Sequence, residues 1–196
     1  LHDNFPNCGL YASAYVKQNN KIKTPSIYKN IPSKTDWMGI VDDYFKSSSF
    51  NAIAWTSAVM VPKKTLEHVG LFDKKITLGA GEDTDLWIRI ALKYPVAFCN
   101  TVTAIHNLHT DNRISNSNTN FRQFIDLDAY EEEAKTNSSL KSYLDLNRYA
   151  IALQYKLVGN TAKAKKYIDK IDKNSLNSKQ CFLLSLNTPF LKLSLK

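Results

Sequence analysis

Three acidic side chains stand close together in one short stretch of the chain. Glu82, Asp83 and Asp85 occupy three of four consecutive positions, and apolar residues at helical spacing follow them until Pro95. The acids therefore open a helix, where the helix dipole favours them as caps. Three carboxylates are more than a helix cap requires, and they repel one another. The alternative to capping is a chemical role, in which one of them is a general base or faces a metal ion.

A glycine-rich loop lies directly before these acids. Gly79 and Gly81 fall within the five residues Thr77–Gly81. Glycine adopts positive φ at little cost and leaves room for a ligand near the backbone. We therefore expect Gly79, Gly81 and Glu82 to contact a substrate beside the acid cluster.

Two strings within this region resemble a known family. Val69-Gly-Leu-Phe-Asp73 and the segment Gly81–Arg89, which spells GEDTDLWIR, resemble the acceptor-side segment of family 2 glycosyltransferases. That family has the GT-A fold, an α/β sandwich that binds a nucleotide-sugar. The resemblance is dense over about 25 residues and weaker from about residue 5 to residue 115. It implies that Asp83 is the general base that deprotonates the acceptor hydroxyl.

The resemblance also implies the partners and the reaction. The donor would be a nucleotide-sugar, with a UDP-sugar favoured, and the acceptor a saccharide or a lipid-linked saccharide of bacterial polysaccharide synthesis. Transfer would proceed by single displacement with inversion. Glu82 would bind the acceptor or the loop, and Trp87 is either a core residue or a stacking surface for an acceptor sugar. Asp85 and Arg89 are expected to form a structural pair at i, i+4.

Two histidines after the next predicted strand are candidate metal ligands. His106 and His109 lie three residues apart beside Asp111, a spacing that alone is weakly specific. The segment from His109 to Ser115 resembles the family string that helps to hold a divalent cation on the nucleotide diphosphate. The resemblance implies Mn²⁺ or Mg²⁺ with His109 as ligand and His106 as the second choice.

The metal-binding D-x-D of the family's N-terminal half has no counterpart in a suitable setting. Asp83-Thr84-Asp85 has the letters but opens a helix after a glycine loop, whereas the family motif ends a buried strand. Asp42 and Asp43 fall within a predicted helix. We therefore expect the chain to be a C-terminal, acceptor-side fragment that shares its cation with an absent half and is inactive alone.

The elements predicted around these residues give a partial GT-A-like α/β sandwich, a mixed sheet with flanking helices, over residues 1–118. A small all-helical region follows over residues 119–196. Apolar runs predict strands at 8–16, 52–61 and 96–102, and helical spacing predicts helices at 35–46, 63–69 and 82–94. The later helices are predicted at 121–134, 139–159, 161–171 and 178–186. Two apolar stripes are expected to pair the second and third of these, namely Leu146, Tyr149, Ala150, Leu153 and Leu157 with Ala162, Ala164, Tyr167, Ile168 and Ile171.

The composition limits the classes of protein to which the chain can belong. The chain of 196 residues is 43% hydrophobic, enough for one large or two small cores, and no apolar run is long enough to span a bilayer. Its three cysteines lack metal-ligand spacing, which suits a reducing cytoplasm. Of the net charge of +8, residues 130–196 supply +6, from twelve basic and six acidic residues.

This basic tail has two interpretations. It is either a solvated helical face or a surface attracted to an anionic acceptor or to lipid, with peripheral association at the inner membrane face. Nucleic acid is not expected as a partner, because the basic residues are scattered. The alternative to an enzyme is a non-catalytic interaction module that docks through the helical tail.

Overall fold

The structure, a computed structural model, describes residues 1–110 and 114–194. The chain divides into two compact units, which we call unit 1 (Leu1–Asn116) and unit 2 (Ser117–Lys196). The predicted boundary lies at 118/119. Strands and helices are mixed in unit 1, so the coarse α/β class is confirmed.

Unit 1 contains a five-stranded mixed sheet. Its strands are β1 (Leu10–Asn19), β2 (Ile22–Pro25), β3 (Met38–Ile40), β4 (Val59–Met60) and β5 (Val96–Asn107). The order is β2-β1-β5-β3, and β4 also pairs with β1. The β1–β5 pair is parallel, and the other pairs are antiparallel.

The long parallel pair β1–β5 forms the centre of the sheet. Its register runs from Leu10 opposite Val96 to Gln18 opposite Asn107, with two irregularities near Ala14. The first halves of both strands are buried, as the near-continuous apolar runs of a parallel pair require. The strands predicted at 8–16 and 96–102 are therefore confirmed in position, and β5 continues to Asn107.

Three helices accompany the sheet in the described part of unit 1. They are α1 (Tyr44–Ser47), α2 (Lys63–Val69) and α3 (Glu82–Ala91). The predicted α2 is confirmed, and α3 ends three residues before the predicted limit. Leu86, Ile88 and Ile90 are almost fully buried, so α3 is an internal helix.

Close packing continues beyond the end of α3. A Cβ on Gly9 would lie 2.5 Å from the Cβ of Tyr94, so only glycine fits beside that residue.

The helix predicted at 35–46 is wrong. Met38–Ile40 forms β3, which pairs with Ala97–Cys99 of β5, and only the short α1 is helical. Asp43 lies before α1 as its N-cap, since its side chain accepts a hydrogen bond from the backbone N–H of Lys46 at 2.9 Å. The apolar spacing matched a helix, but pairing with β5 determines the conformation here.

The strand predicted at 52–61 is also largely wrong. Only Val59–Met60 forms a strand, and a 3-10 turn at Thr56–Ala58 precedes it. Ile53 and Ala54 are adjacent and both buried. A short irregular segment inside the core produces this pattern without the pleat of a strand.

The regular secondary structure in the described part of unit 2 is entirely helical. Its helices are α4 (Glu131–Ala134), α5 (Ser138–Leu157), α6 (Thr161–Ile168), α7 (Ser178–Ser185) and α8 (Thr188–Ser194). The helix predicted at 121–134 is reduced to the 3-10 turn Leu127–Tyr130 and α4. In the described residues, no helix is long and apolar enough to cross a membrane.

The core of unit 2 differs from the predicted apolar stripes. On α5 the buried positions include Leu140, Leu144 and Ile151, whereas the five predicted residues are half-buried or exposed. Of the predicted partners, only Ala164 is fully buried. The buried stripe of α5 was missed because Asp145 and Arg148 lie within it.

These two charged residues form the centre of an ion-pair network. The guanidinium of Arg148, 1% exposed, binds Asp145 at 3.1 Å, Asp128 at 2.9 Å and Glu131 at 2.5 Å. Asp145, fully buried, also accepts a hydrogen bond from Lys141 at 2.8 Å. The pairing satisfies charges that would be costly to bury alone.

Candidate functional site

The glycine loop before α3 adopts the conformation that its composition allows. Leu78, Gly79 and Gly81 have φ of 60°, 68° and 104°. A Cβ on Gly79 would lie 3.1 Å from Cγ2 of Ile114, and its positive φ also disfavours any larger residue. Gly81 precedes the helix without a side-chain cap, so the carboxylates of the first turn are the anions beside the N-terminus of α3.

The carboxylate of Asp83 is half-buried and held from two sides. Its Oδ1 accepts the backbone N–H of Thr84 at 2.7 Å, and its Oδ2 accepts the hydroxyl of Thr56 at 3.0 Å. The first bond is an N-terminal cap within the helix. The second comes from the turn before β4, so a residue that sequence reasoning had not selected orients the predicted base.

Glu82 has a buried carboxylate oxygen that lacks a partner. Among the described residues, no group hydrogen-bonds its Oε2. A buried acceptor that is left unpaired costs about 1–3 kcal/mol. Because this oxygen is covered by the protein, a ligand hydroxyl would reach it only after the Glu82 side chain rotates.

Trp87 belongs to the core. It is 4% exposed, and its ring meets Phe72 edge-on with centroids 6.3 Å apart. Its indole N–H has no hydrogen-bond partner among the described residues. Of the two predicted roles for Trp87, this burial favours the core and leaves little of the ring for an acceptor sugar.

Arg89 links the two strings of the motif. Its guanidinium pairs with Asp85 at 2.7 Å, which confirms the predicted i, i+4 pair. It also donates to the carbonyl oxygens of Val69 at 2.6 Å and Leu71 at 2.8 Å. The segment after α2 is thereby fixed against α3, so Arg89 and Asp85 act structurally rather than chemically.

An aromatic group next to Thr56 extends the site. The ring of Trp55 stacks on His106 with centroids 4.9 Å apart, and it lies 4.7 Å from the ring of Tyr15. Because Trp55 and Thr56 are adjacent, His106 and Asp83 contact neighbouring residues of one turn. Sequence reasoning missed Tyr15, Trp55 and Thr56; the polar interruption of the run AIAWTSAVMV was the one available signal.

A lysine on the neighbouring strand lies in register with His106. Lys17 of β1 is the Cα partner of His106 in the parallel pair. Its Nζ donates to the amide oxygen of Asn51, and the amide nitrogen of Asn51 donates to the carbonyl oxygen of Ile27 at 2.9 Å. The carboxyl ends of β1 and β5 thus bring a cation, an imidazole and an indole together, at the sheet edge where α/β proteins bind ligands.

His109, the first choice for a metal ligand, is exposed beyond the end of β5. Its neighbour Asp111 lies outside the described residues. Within 1–110 and 114–194, no group of three His, Cys, Asp or Glu side chains could hold a metal ion. The donors described here therefore do not form a divalent-cation site by themselves.

A cavity of about 330 Å³ lies beside Tyr15 on the sheet. Tyr28, Pro32, Asn100 and Val102 contribute to its mostly apolar wall. Burial raises the pKa of Tyr28 to about 12, so its hydroxyl stays protonated and can donate. None of the predicted site residues lines this cavity.

The arrangement around α3 provides one oriented carboxylate, one unpaired carboxylate oxygen and an aromatic group. Such a set can accept a proton from a hydroxyl and bind a polar ring.

Comparison of the chain with protein-family models, with curated proteins and with solved structures finds no match in any of the three.

Proposed function

We propose that this chain supplies the acceptor side of a nucleotide-sugar-dependent glycosyltransferase, with Asp83 as the general base. The observation that carries the proposal is the half-buried carboxylate of Asp83, oriented by Thr56 and by the helix N-terminus beside a glycine loop. A base must be held within hydrogen-bond reach of the proton that it removes. The two bonds leave one lone pair of Oδ2 for an acceptor hydroxyl.

The proposed reaction is a single displacement with inversion. The acceptor oxygen attacks the anomeric carbon of the donor sugar, the bond from that carbon to the nucleotide diphosphate breaks, and the acceptor proton passes to Asp83. After a side-chain rotation that exposes its buried, unpaired Oε2, Glu82 would accept a second hydroxyl of the acceptor and fix its orientation. Trp55, half-buried beside Thr56, would stack on the apolar face of a sugar ring.

The family resemblance implies a divalent cation that would bind beside the diphosphate of the donor. His109 is the ligand that the described chain would offer, and any further ligands would come from elsewhere. Mn²⁺ or Mg²⁺ would neutralise the charge of the departing diphosphate. Calorimetric titration of UDP with Mn²⁺ into this chain, and into any longer natural polypeptide that contains it, tests this part.

The test of the base is the substitution Asp83→Asn in that natural polypeptide. We expect transfer from UDP-sugars to a panel of saccharide acceptors to fall by about 10²–10⁴-fold, the usual contribution of general-base catalysis. UDP binding should remain unchanged. Asp73→Asn is the matched control, because Asp73 is an exposed acid of the same motif.

Wild-type transfer by the Asp83→Asn enzyme would contradict the proposed role of Asp83 as the general base.

The second candidate function is an interaction module. It is favoured by the separate compact unit 2, with thirteen basic and eight acidic residues in 117–196. Capture of a protein partner by unit 2, together with no UDP binding in any form, would favour that alternative.

A further inference from the structure

Unit 2 contains a buried lysine that lacks an acidic partner. Lys156, near the end of α5, is 7% exposed. Its ammonium donates a hydrogen bond to the carbonyl oxygen of Leu184, and no carboxylate of the described residues pairs with it. Arg148, the other buried cation of α5, has three carboxylate partners. Burying an unpaired ammonium is costly, so Lys156 requires an explanation of its own.

Helix capping explains only part of this arrangement. Leu184 lies in the last turn of α7, so Lys156 satisfies one terminal carbonyl of that helix. Thr188 donates to the backbone carbonyl of Lys156 at 3.0 Å and fixes the connection to α8. A neutral donor would cap the carbonyl equally well, and two of the three N–H groups of the ammonium have no acceptor in the described residues.

Lys156 lines an open groove of about 500 Å³. Ala164 and Ile168 of α6 form one wall, and Leu186 and Pro189 form the other. Among the described lining residues there is no acid. We call this feature the Lys156 groove; it combines apolar walls with one uncompensated positive charge.

A second lysine stands at the groove but is already paired. Lys165 lines the groove, and its Nζ lies 2.7 Å from Oδ1 of Asp169 on the same helix. Its side chain is 73% exposed, so the pair is solvated and weak. The free positive charge of the groove is therefore that of Lys156.

We propose that the Lys156 groove binds a single-chain anionic amphiphile, a long-chain carboxylate whose head group pairs with the ammonium of Lys156 and whose alkyl chain lies along Ala164, Ile168 and Leu186. A carboxylate would accept the two unused N–H groups, and the alkyl chain would cover the apolar walls. Burial also lowers the pKa of Lys156, which reflects the absence of a countercharge that this ligand would supply. The proposal does not depend on glycosyl transfer.

Calorimetric titration of the full chain with decanoate and dodecanoate, below their micellar concentrations, tests the proposal. Each added CH₂ should tighten binding about fourfold, since burying one contributes about 0.8 kcal/mol. Dodecanol should bind at least about tenfold more weakly, because it cannot form the charge-assisted bond. Dodecyltrimethylammonium should not bind.

Substitution of Lys156 tests whether the amphiphile binds in the Lys156 groove. Lys156→Met keeps an unbranched apolar side chain without the ammonium and should abolish the preference for dodecanoate over dodecanol. Lys179→Met removes the same charge from an exposed position of α7 and should leave that preference unchanged. Circular dichroism checks that both variants fold. If Lys156→Met does not fold, the head-group series on the wild-type chain still decides.

Equal binding of dodecanoate and dodecanol by the wild-type chain would overturn the proposal. So would unchanged dodecanoate binding by a folded Lys156→Met variant. A concentration-dependent dimer that occupies the groove, with no amphiphile bound, would assign the surface to a second copy of the chain instead.

Discussion

At the scale of single residues, Asp83 combines a structural and a proposed chemical role. One oxygen caps a backbone N–H in the first turn of α3, and the other accepts the hydroxyl of Thr56. The cap is formed within α3, whereas the Thr56 bond joins α3 to the turn before β4. A substitution at Asp83 would therefore change both the helix and the proposed catalysis, whereas a substitution at Thr56 would change only the orientation of the carboxylate.

Thr56→Val should lower the free energy of unfolding by about 1 kcal/mol, the net contribution of one such hydrogen bond. The measurement is urea denaturation followed by tryptophan emission. Ser57→Ala removes an exposed hydroxyl from the same turn and should change stability by less than about 0.5 kcal/mol. An equal effect of the two substitutions would show that the Thr56–Asp83 bond contributes nothing.

At the scale of elements, α3 is held by Arg89 as well as by its apolar residues. The guanidinium joins Asp85 on its own helix to the carbonyls that follow α2. Lysine has the charge but lacks the planar fork that reaches several acceptors at once. The arginine of the motif is thus required by the backbone that it binds.

Arg89→Lys should therefore destabilise unit 1 by about 1.5–3 kcal/mol, the range for hydrogen bonds to a charged group. Lys63→Ala is the contrast, because its pair with Glu67 is exposed and should contribute less than about 1 kcal/mol. Both are measured as the shift in the urea midpoint of tryptophan emission. Similar shifts would mean that the carbonyl contacts of Arg89 add no stability.

The ion-pair network around Arg148 on α5 makes the stability of unit 2 depend on pH. Burial acts to raise the pKa of Asp128, but hydrogen bonds from Lys170 and Arg148 outweigh it and lower the pKa. The folded pKa is below the unfolded value of about 3.9, so the stabilisation is complete above that value. It is lost as the pH falls through the folded pKa.

Acidification from pH 6 to pH 3 should consequently lower the thermal midpoint of helical ellipticity less in Asp128→Asn than in the wild-type chain. Glu133→Gln, an exposed acid on α4, should behave as the wild type. An acid sensitivity of Asp128→Asn equal to that of the wild type would contradict the assignment.

At the scale of the whole molecule, the chain contains two cores of different kinds. Unit 1 buries apolar side chains around a parallel strand pair, and unit 2 adds a buried ion-pair network. All three tryptophans, Trp37, Trp55 and Trp87, belong to unit 1. Their emission reports on unit 1, whereas helical ellipticity reports mainly on unit 2.

The substitution Arg148→Met tests whether these two signals report on separate unfolding of the two units. Removing the guanidinium leaves Lys141 as the remaining cationic partner of the buried Asp145. Breaking a buried ion pair by removing one partner costs about 3–5 kcal/mol. We expect the midpoint of helical ellipticity to fall sharply, with a smaller change in the midpoint of tryptophan emission. Equal shifts of both signals would show that the two units unfold as one.

The parts of the fold that were predictable are those set by local sequence. The period after Glu82 and the stop at Pro95 gave the position of α3, and the apolar run from Val96 gave β5. Strand β3 was not predictable, because Met38–Ile40 becomes extended only by pairing with β5. The same holds for Trp55 and Thr56, which reach Asp83 and His106 through tertiary contacts that no local spacing encodes.

The parallel pairing of β1 with β5 also fixes an order of events during synthesis. Leu10 of β1 pairs with Val96 of β5, so 86 further residues must be synthesised after Leu10 before this pairing can begin. At about 5–20 residues per second this interval lasts several seconds. During it, β1 can pair only with the short strands β2 and β4, and most of its length has no partner on the β5 side. The helices of unit 2 join neighbours in sequence and close soon after they emerge. We infer that the nascent chain is most prone to aggregation before Asn107 leaves the ribosome, well before unit 2 is made.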